Sequence, residues 1–285
     1  MSKKKKTIPL RSLTKELGKG VVLMQVTSGT LMTHEDIRQA HRDNYHVFFL
    51  LEEGTASLEI DFRKHRLKAP SLMYIQPYQV HKGLAIDNVT FTALLINNEN
   101  LHPEYVNILE DISPAKPLML SKETYSILSE TVSLSLKFYQ RENEKLYHLL
   151  LKDSCNAFVA LIASQYLIQS QSPDTLSRFD VISKAFKSLL ERNFISLKRP
   201  SDYAARLKVS VFYLNECVKN VSGYPVSYHI QQRIVLEAKR LLCHTNKSVK
   251  EVAMELGYED YAYFSRLFSK VTGMSALTFR SKNHD

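Results

Sequence analysis

The sequence predicts an α+β fold, with a small β-barrel or sandwich first and an all-helical remainder after it. Three observations carry this. Between Val21 and Ile96 short apolar runs alternate and break at Gly, Pro, Asn and Asp, as in YHVFFLLEEG and NVTFTALLIN, the pattern of short strands in a small β domain. After SPAKPLML (113–120) apolar residues recur at helical intervals without internal Gly or Pro. Beyond residue 178 one helical pattern occurs twice, about fifty residues apart. With 285 residues, 44% of them hydrophobic, the chain is long enough for two domains with real cores.

Taken in order, residues 1–20 begin MSKKKKTIPLRS, where four lysines precede no apolar stretch or cleavage site. They read as a basic solvated tail and not as a signal peptide. Residues 21–112 hold the strand runs, with a turn expected at Gly54 and a solvated hairpin turn carrying Arg63, Lys64, His65, Arg66 and Lys68. Residues 113–170 hold two long helical patterns, at 122–140 and 144–170. The second is apolar over much of its surface, which suits either core or a dimer contact. QSPDTLS (171–177) is polar, contains Pro and reads as a linker. Residues 178–285 form the last domain.

Within that domain, SVKEVAMELGYEDYAYFSRLFSKVTG (248–273) contains two helices. Ser248 and Glu251 form an S-x-x-E capping box. Val252, Ala253 and Leu256 make one apolar face, and Gly257 supplies the left-handed C-cap. Asp260 caps the next helix, and Phe264, Phe268 and Val271 at i, i+4 and i+7 bury one side of it. This is the logic of a helix-turn-helix. Tyr261, Ala262, Tyr263 and Arg266 are left on the outer side, where Arg can bond a guanine edge and Tyr a phosphate or a thymine methyl. Taken alone, an ordinary helical hairpin with a polar face explains the pattern equally well. RPSDYAARLKVSVFYLNECVKNVSG (199–223) repeats it, however. Ala204, Leu207, Leu214, Val218 and Gly223 answer to Ala253, Leu256, Phe264, Phe268 and Gly273, with Lys208-Val209-Ser210 in place of the four residues from Gly257 to Asp260. The outer residues of this copy are Phe212, Tyr213, Asn215 and Glu216. Ile230, Ile234, Ala238 and Leu241 stripe a linking helix of about sixteen residues, roughly 24 Å long. That length can hold two reading helices near one DNA turn, about 34 Å apart.

Charge agrees with this. The net charge is +9, and from Asp180 onward 17 Lys/Arg face 10 Asp/Glu, so the basic excess lies with the repeated units, as a polyanion partner requires. Three cysteines, Cys155, Cys217 and Cys243, lack the paired spacing of a zinc site and read as buried reduced thiols, implying a reducing cytoplasm. The longest apolar segment, Cys155–Ile168, is too short for a membrane span and includes Asn, Ser and Gln. No membrane association is expected.

From about Phe186 to Lys282 the chain resembles the AraC/XylS family of bacterial transcription regulators. The resemblance is sharpest over EVAMELGYEDYAYFSRLFSKVTGMSALTFR (251–280) and continues in YLNECVKNVSGYPVSYHIQQRIVLEAKRLL (213–242). It implies seven helices forming two helix-turn-helix units, with recognition positions Phe212, Asn215 and Glu216 in the first and Tyr261, Ala262, Tyr263 and Arg266 in the second. The sequence departs from the family pattern at Ala276, where proline is common, at Glu216, often arginine, and at His229, often aromatic. The stretch HRDNYHVFFLLEEGTASLEIDFRKHRLKAPSLMYIQPYQVHKG (41–83) is similar in texture to the cupin-like sensor domains of such regulators. The helices at 122–140 and 144–170 resemble the segment that carries dimer contacts. The expected whole is a cupin-like domain, a helical dimerisation region and a double helix-turn-helix. Its partners would be promoter DNA, RNA polymerase, a second copy of itself and a small-molecule effector.

A metal-dependent cupin enzyme with a helical accessory domain is the alternative. His41, His46 and His81, with Glu52 or Glu53, offer metal-ligating chemistry. Residues five apart on a strand face opposite ways, however, so His41 and His46 are not expected in one site, and neither a metal nor a cofactor is predicted. His41, Arg42, Tyr45 and His81 are the candidate ligand-binding residues, with plain structural roles for His81 and Tyr45 equally open. The sequence contains neither a GxxxxGK[ST] P-loop nor a G-x-S-x-G elbow, and only 8 glycines.

Overall fold

The computed structural model describes residues 8–11, 20–27, 38–112, 116–141, 143–170 and 177–283. The four lysines of the tail, residues 113–115 and most of the linker (171–176) lie outside the described residues. The chain divides into two units, one spanning Pro9–Ser172 and the other containing Pro173–Asp285.

In the first unit, β1 (Leu10–Arg11) pairs in parallel with β3 (Arg42–Asp43). The main sheet is antiparallel. It consists of β2 (Val21–Thr27), β4 (His46–Ile60), β5 (Arg63–Lys68), β6 (Ser71–Ile75), β7 (His81–Ile96) and β8 (Leu118–Met119), in the order β2-β7-β4-β6-β8 with β5 on β4. The spine is the β4–β7 ribbon, paired from His46↔Ile96 to Ile60↔His81. Register shifts after Leu51, Glu53 and Ser57 interrupt it. Bulges of this kind bend and twist a long ribbon, so β6 flanks its first half and β5 its second. Gly54 is therefore not a turn. It sits inside β4 at φ +78, where a Cβ would lie 2.3 Å from the carbonyl oxygens of Asp87 and Asn88. The true turn is Asp61–Phe62, and the basic run 63–68 is the strand β5, with Leu67 buried and the flanking Arg66 and Lys68 exposed.

YHVFFLL reads as a continuous apolar run because β4 is covered on both faces. Phe48 and Leu50 join a core with Leu94, Tyr74 and the helices, whereas Leu51, Ala56 and Ile60 join Leu67, Met73, Ile75 and Phe91 in a second core. The helices are α1 (Pro103–Asp111), α2 (Lys122–Tyr139) and α3 (Tyr147–Ser170). Leu128 and Val132 of α2 and Leu151, Phe158, Val159 and Ile162 of α3 pack on the sheet. The apolar α3 is thus largely core, while Leu146, Leu149, Leu150, Leu167 and Ile168 remain exposed around it.

The second unit is all helical: α4 (Arg178–Asn193), α5 (Pro200–Arg206), α6 (Val211–Ser222), α7 (Val226–His244), α8 (Val249–Glu255), α9 (Tyr261–Thr272) and α10 (Ala276–Asn283). Among the described residues these are seven helices. The linking helix α7 has 19 residues, about 28 Å, somewhat longer than its apolar stripe suggested. Among the described residues no helix is long and apolar enough to cross a membrane.

Candidate nucleic-acid interface and histidine cluster

The α8–α9 unit assembles as its residues dictate. Ser248 and Glu251 cap α8 reciprocally, and Asp260 accepts the Tyr263 N–H at 2.9 Å to start α9. Gly257, at φ +76, turns the chain between them, and a Cβ there would lie 2.6 Å from the Ile195 carbonyl oxygen. Val252, Ala253, Leu256, Phe264 and Phe268 are fully buried. Val271 is only half-buried; Leu267 is the further core residue of α9. Locked on that core, α9 presents Tyr261, Ala262, Tyr263 and Arg266 to solvent. The Tyr263 ring stacks on Tyr258 at 5.9 Å.

The α5–α6 unit repeats the plan with different chemistry. Ser210 caps α6 by accepting from Tyr213, and Gly223, at φ +79, ends it as Gly273, at φ +76, ends α9. A hydroxyl before each glycine bonds back into its helix: Ser222 to the Val218 carbonyl and Thr272 to the Phe268 carbonyl. Phe212 is 80% exposed at the amino end of α6, and Glu216 is exposed one turn on. Tyr213 is half-buried, with Phe179 at 6.3 Å and the Arg178 guanidinium over its ring. Asn215, expected on the reading face, is half-buried. Its Nδ2 donates to the Val211 carbonyl and its Oδ1 accepts the Val226 N–H, so the side chain ties α6 to the start of α7. Its equivalent in the second unit, Ser265, is likewise half-buried, a signal that was available in the repeat.

Part of the basic excess is structural. Arg240 is buried and bonds Glu237 at 2.7 Å; Arg233 bonds Glu191 at 2.6 Å and lies 3.8 Å over the Phe194 ring. Arg280 donates to the Leu242 and Lys247 carbonyls. Lys198 donates to the Phe194 and Leu256 carbonyls, joining the segment after α4 to the end of α8, and burial pulls its pKa down to about 8. Arg206, Lys208, Lys219, Lys250, Arg266 and Lys270 are exposed.

In the barrel, His41 and His81 are an antiparallel backbone pair, bonded N–H to carbonyl in both directions at 3.1 and 2.9 Å. Their rings therefore meet, with centroids 4.3 Å apart. Asp43, two residues past His41, projects to the same side; its Oδ2 lies 3.4 Å from His81 Nε2. Burial and the neighbouring His81 push the His41 pKa down to about 4, and burial likewise lowers that of His81 and raises that of Asp43. The Tyr45 hydroxyl bonds the Asp43 carboxylate, and burial raises its pKa as well. The guanidinium felt by His41, Asp43, Tyr45 and His81 is that of Arg11, whose strand β1 pairs it with Asp43. Arg42 falls between His41 and Asp43, and strand alternation turns it to the other face. Asp43 and Arg11 were not singled out from the sequence; the His-x-Asp spacing was the legible clue to Asp43. His46 lies apart from this cluster, bonded to the Tyr74 hydroxyl at 2.8 Å and to Asn98. Glu52 bonds Gln25 and Thr92 instead of any histidine.

Comparison with known proteins settles the family. Residues 26–152 match the AraC-like ligand binding domain and residues 203–282 match a helix-turn-helix domain. The chain belongs to the AraC/XylS family. It is 20% identical over 246 residues to the transcriptional activator RhaR of Mannheimia succiniciproducens, covering 85% of this chain and 87% of that one. It is 19% identical over 248 residues to the transcriptional activator RhaS of Escherichia coli, covering 84% and 86%. Among solved structures, ToxT of Vibrio cholerae is 13% identical, covering 94% of this chain and all of that one at a TM-score of 0.43.

As an AraC-family protein the chain is a sequence-specific DNA-binding transcription regulator. Two departures from the family pattern have a place in the fold. His229 keeps the packing of an aromatic residue, its ring 6.2 Å from Phe186 and 5.5 Å from Tyr228, and adds a hydrogen bond with Ser222 at 2.8 Å. Ala276 is buried at the start of α10, where Ser275 accepts from the Thr278 N–H in place of proline's stiffening.

Proposed function

We propose that this regulator reads promoter DNA through the outer faces of α6 and α9, in two adjacent major-groove segments on one side of the duplex. The observation that carries this is the in-register exposure of Phe212 and Glu216 on one helix, with Tyr213 half-exposed between them, and of Tyr261, Ala262, Tyr263 and Arg266 on the other, each helix held on a buried core. Arg266 is assigned base contact, while Lys208, Lys219, Lys250 and Lys270 supply salt-dependent phosphate affinity. The barrel is read as a sensor for a small effector at His41, Tyr45 and His81, together with Asp43 and Arg11. It is not assigned catalysis, in keeping with relatives named as activators. The exposed leucines of α3 support homodimerisation, and the cytoplasm, with RNA polymerase as the downstream partner, is the expected setting.

Selection of bound duplexes from a random pool by the full-length chain tests the reading. The expected product is a bipartite site whose two preferred segments lie about 10 base pairs apart. A single contiguous segment shorter than one turn would leave α6 without a groove and refute the two-helix assignment.

A further inference from the structure

We propose that His41, Asp43 and His81 form a site for a divalent transition-metal ion of the zinc class, held by two imidazole nitrogens and one carboxylate oxygen. This rests on the reading of the barrel as a ligand site and names the ligand's chemistry.

The geometry has four parts. One ligand atom from each residue lies within 4.8 Å of the other two. The edge from His81 Nε2 to Asp43 Oδ2 is 3.4 Å, close to the roughly 3.3 Å that bonds of about 2.0–2.1 Å subtend in tetrahedral coordination. His41 Nδ1 lies 2.8 Å from the Gln39 carbonyl oxygen and His81 Nδ1 3.1 Å from that of Gln79. A carbonyl only accepts, so both Nδ1 atoms carry the proton. In the neutral rings the Nε2 lone pairs are then left for a metal, the orientation that backbone carbonyls enforce on ligating histidines. Finally, Asp43 is 3% exposed and its Oδ1 is buried without a hydrogen-bond partner.

These facts create an electrostatic demand. With its Nδ1 proton held by the Gln79 carbonyl, His81 turns its Nε2 toward Asp43 Oδ2 at 3.4 Å, and a cation held between the two serves both. A proton on either group is the rival occupant; a divalent ion satisfies both residues and reaches His41 as well. Two imidazoles with one carboxylate suit zinc or iron(II) better than calcium or magnesium, which prefer all-oxygen sets. The neighbouring Arg11 weakens cation affinity by repulsion and favours an anion or hydroxide on the ion's remaining positions, with the Tyr45 hydroxyl alongside.

The test uses the full-length chain, stripped with a chelator and titrated with Co(II), then Zn(II). The expected result is one Co(II) per chain, visible d–d bands displaced by Zn(II), and no thiolate charge-transfer band, since Cys155, Cys217 and Cys243 are not ligands. Asp43→Asn should weaken uptake at least tenfold, and Asp43→His, which restores a ligating nitrogen, should retain it even if the Asn variant folds poorly. Sub-stoichiometric uptake, a thiolate band, or Asp43→Asn binding as wild type would each overturn the proposal. Promoter affinity with and without Zn(II) is a separate readout. Uptake with no change in affinity supports the metal site and removes metal control of the regulator. A response to another small molecule with no uptake overturns the site and leaves ligand control standing.

Discussion

At equivalent positions α6 and α9, the two proposed reading helices, carry Val211 and Tyr261, Phe212 and Ala262, Tyr213 and Tyr263, Asn215 and Ser265, and Glu216 and Arg266. Beneath them the cores match, with Leu214 against Phe264, Cys217 against Leu267 and Val218 against Phe268, all buried. Packing has preserved one geometry in both units while the outer chemistry has diverged. An acid stands in one unit where a guanidinium stands in the other, and a bare phenyl ring where the other has a methyl group. The second unit is equipped for direct hydrogen-bonded readout. The first offers apolar contact with thymine methyls and an acid that phosphates repel. Affinity and sequence choice are therefore expected to be divided unequally between the two.

The strongest way to break the comparison is through the shared core. Phe264→Ala should destabilise the helical unit by about 3–5 kcal/mol and Leu214→Ala by about 2–5 kcal/mol, measured by chemical denaturation. A Leu214→Ala cost near zero would mean that the first unit is not packed as the second is.

The outer faces come next. Arg266→Ala should lose about 1–3 kcal/mol of affinity for the preferred site and relax the choice at one base pair. Equal weakening on every duplex would make Arg266 a phosphate contact. Glu216→Ala should do the reverse, tightening binding to all duplexes by roughly 1 kcal/mol or less, with the gain fading as salt rises. If it instead weakens binding to one preferred sequence, Glu216 accepts from a cytosine amino group and the first unit reads bases too. Competition binding at two salt concentrations separates these outcomes.

How much of this was legible beforehand depends on the range of the interactions concerned. The capping box at Ser248 and Glu251, the N-caps at Ser210 and Asp260 and the apolar stripes are local, so residue spacing alone specifies them. The antiparallel sheet domain was legible as texture, in short apolar runs and in a β4 that is apolar on both faces. Gly54 was misplaced as a turn because a bulge in a long ribbon and a tight turn ask the same thing of a glycine. The basic run 63–68 misled similarly, since a strand exposed on one face is as polar as a loop. The histidine cluster was half visible: the separation of His41 from His46 follows from strand alternation, but the entry of Arg11 depends on a parallel pairing thirty-odd residues distant, which no local pattern encodes. Asn215 was assigned to the outer face because helical spacing cannot show that the next helix begins against it.

The turns, where the two units differ most sharply in backbone chemistry, hold the smallest effect, at Lys208, beside a larger one at Gly257. Gly257 sits at φ +76 and its counterpart Lys208 at φ +55. A non-glycine residue in this left-handed region bears about 1–2 kcal/mol of strain, so Gly257→Ala should cost at least that much. The Ile195 carbonyl oxygen only 2.6 Å from the new Cβ adds to the cost. Lys208 already bears the strain, and its exposed side chain fills no core. Lys208→Gly removes that strain but gives the unfolded chain about 0.5–1 kcal/mol of extra backbone freedom. The net change should be a stabilisation of less than about 1 kcal/mol, visible as a small rise in the denaturation midpoint at unchanged slope. Lys208 is also an exposed cation, so the same variant should bind DNA slightly less tightly at low salt and equally at high salt. A clear loss of stability in Lys208→Gly would show that the lysine stem packs on its unit, and that the shorter turn of the first unit is held by its side chain where the second relies on glycine.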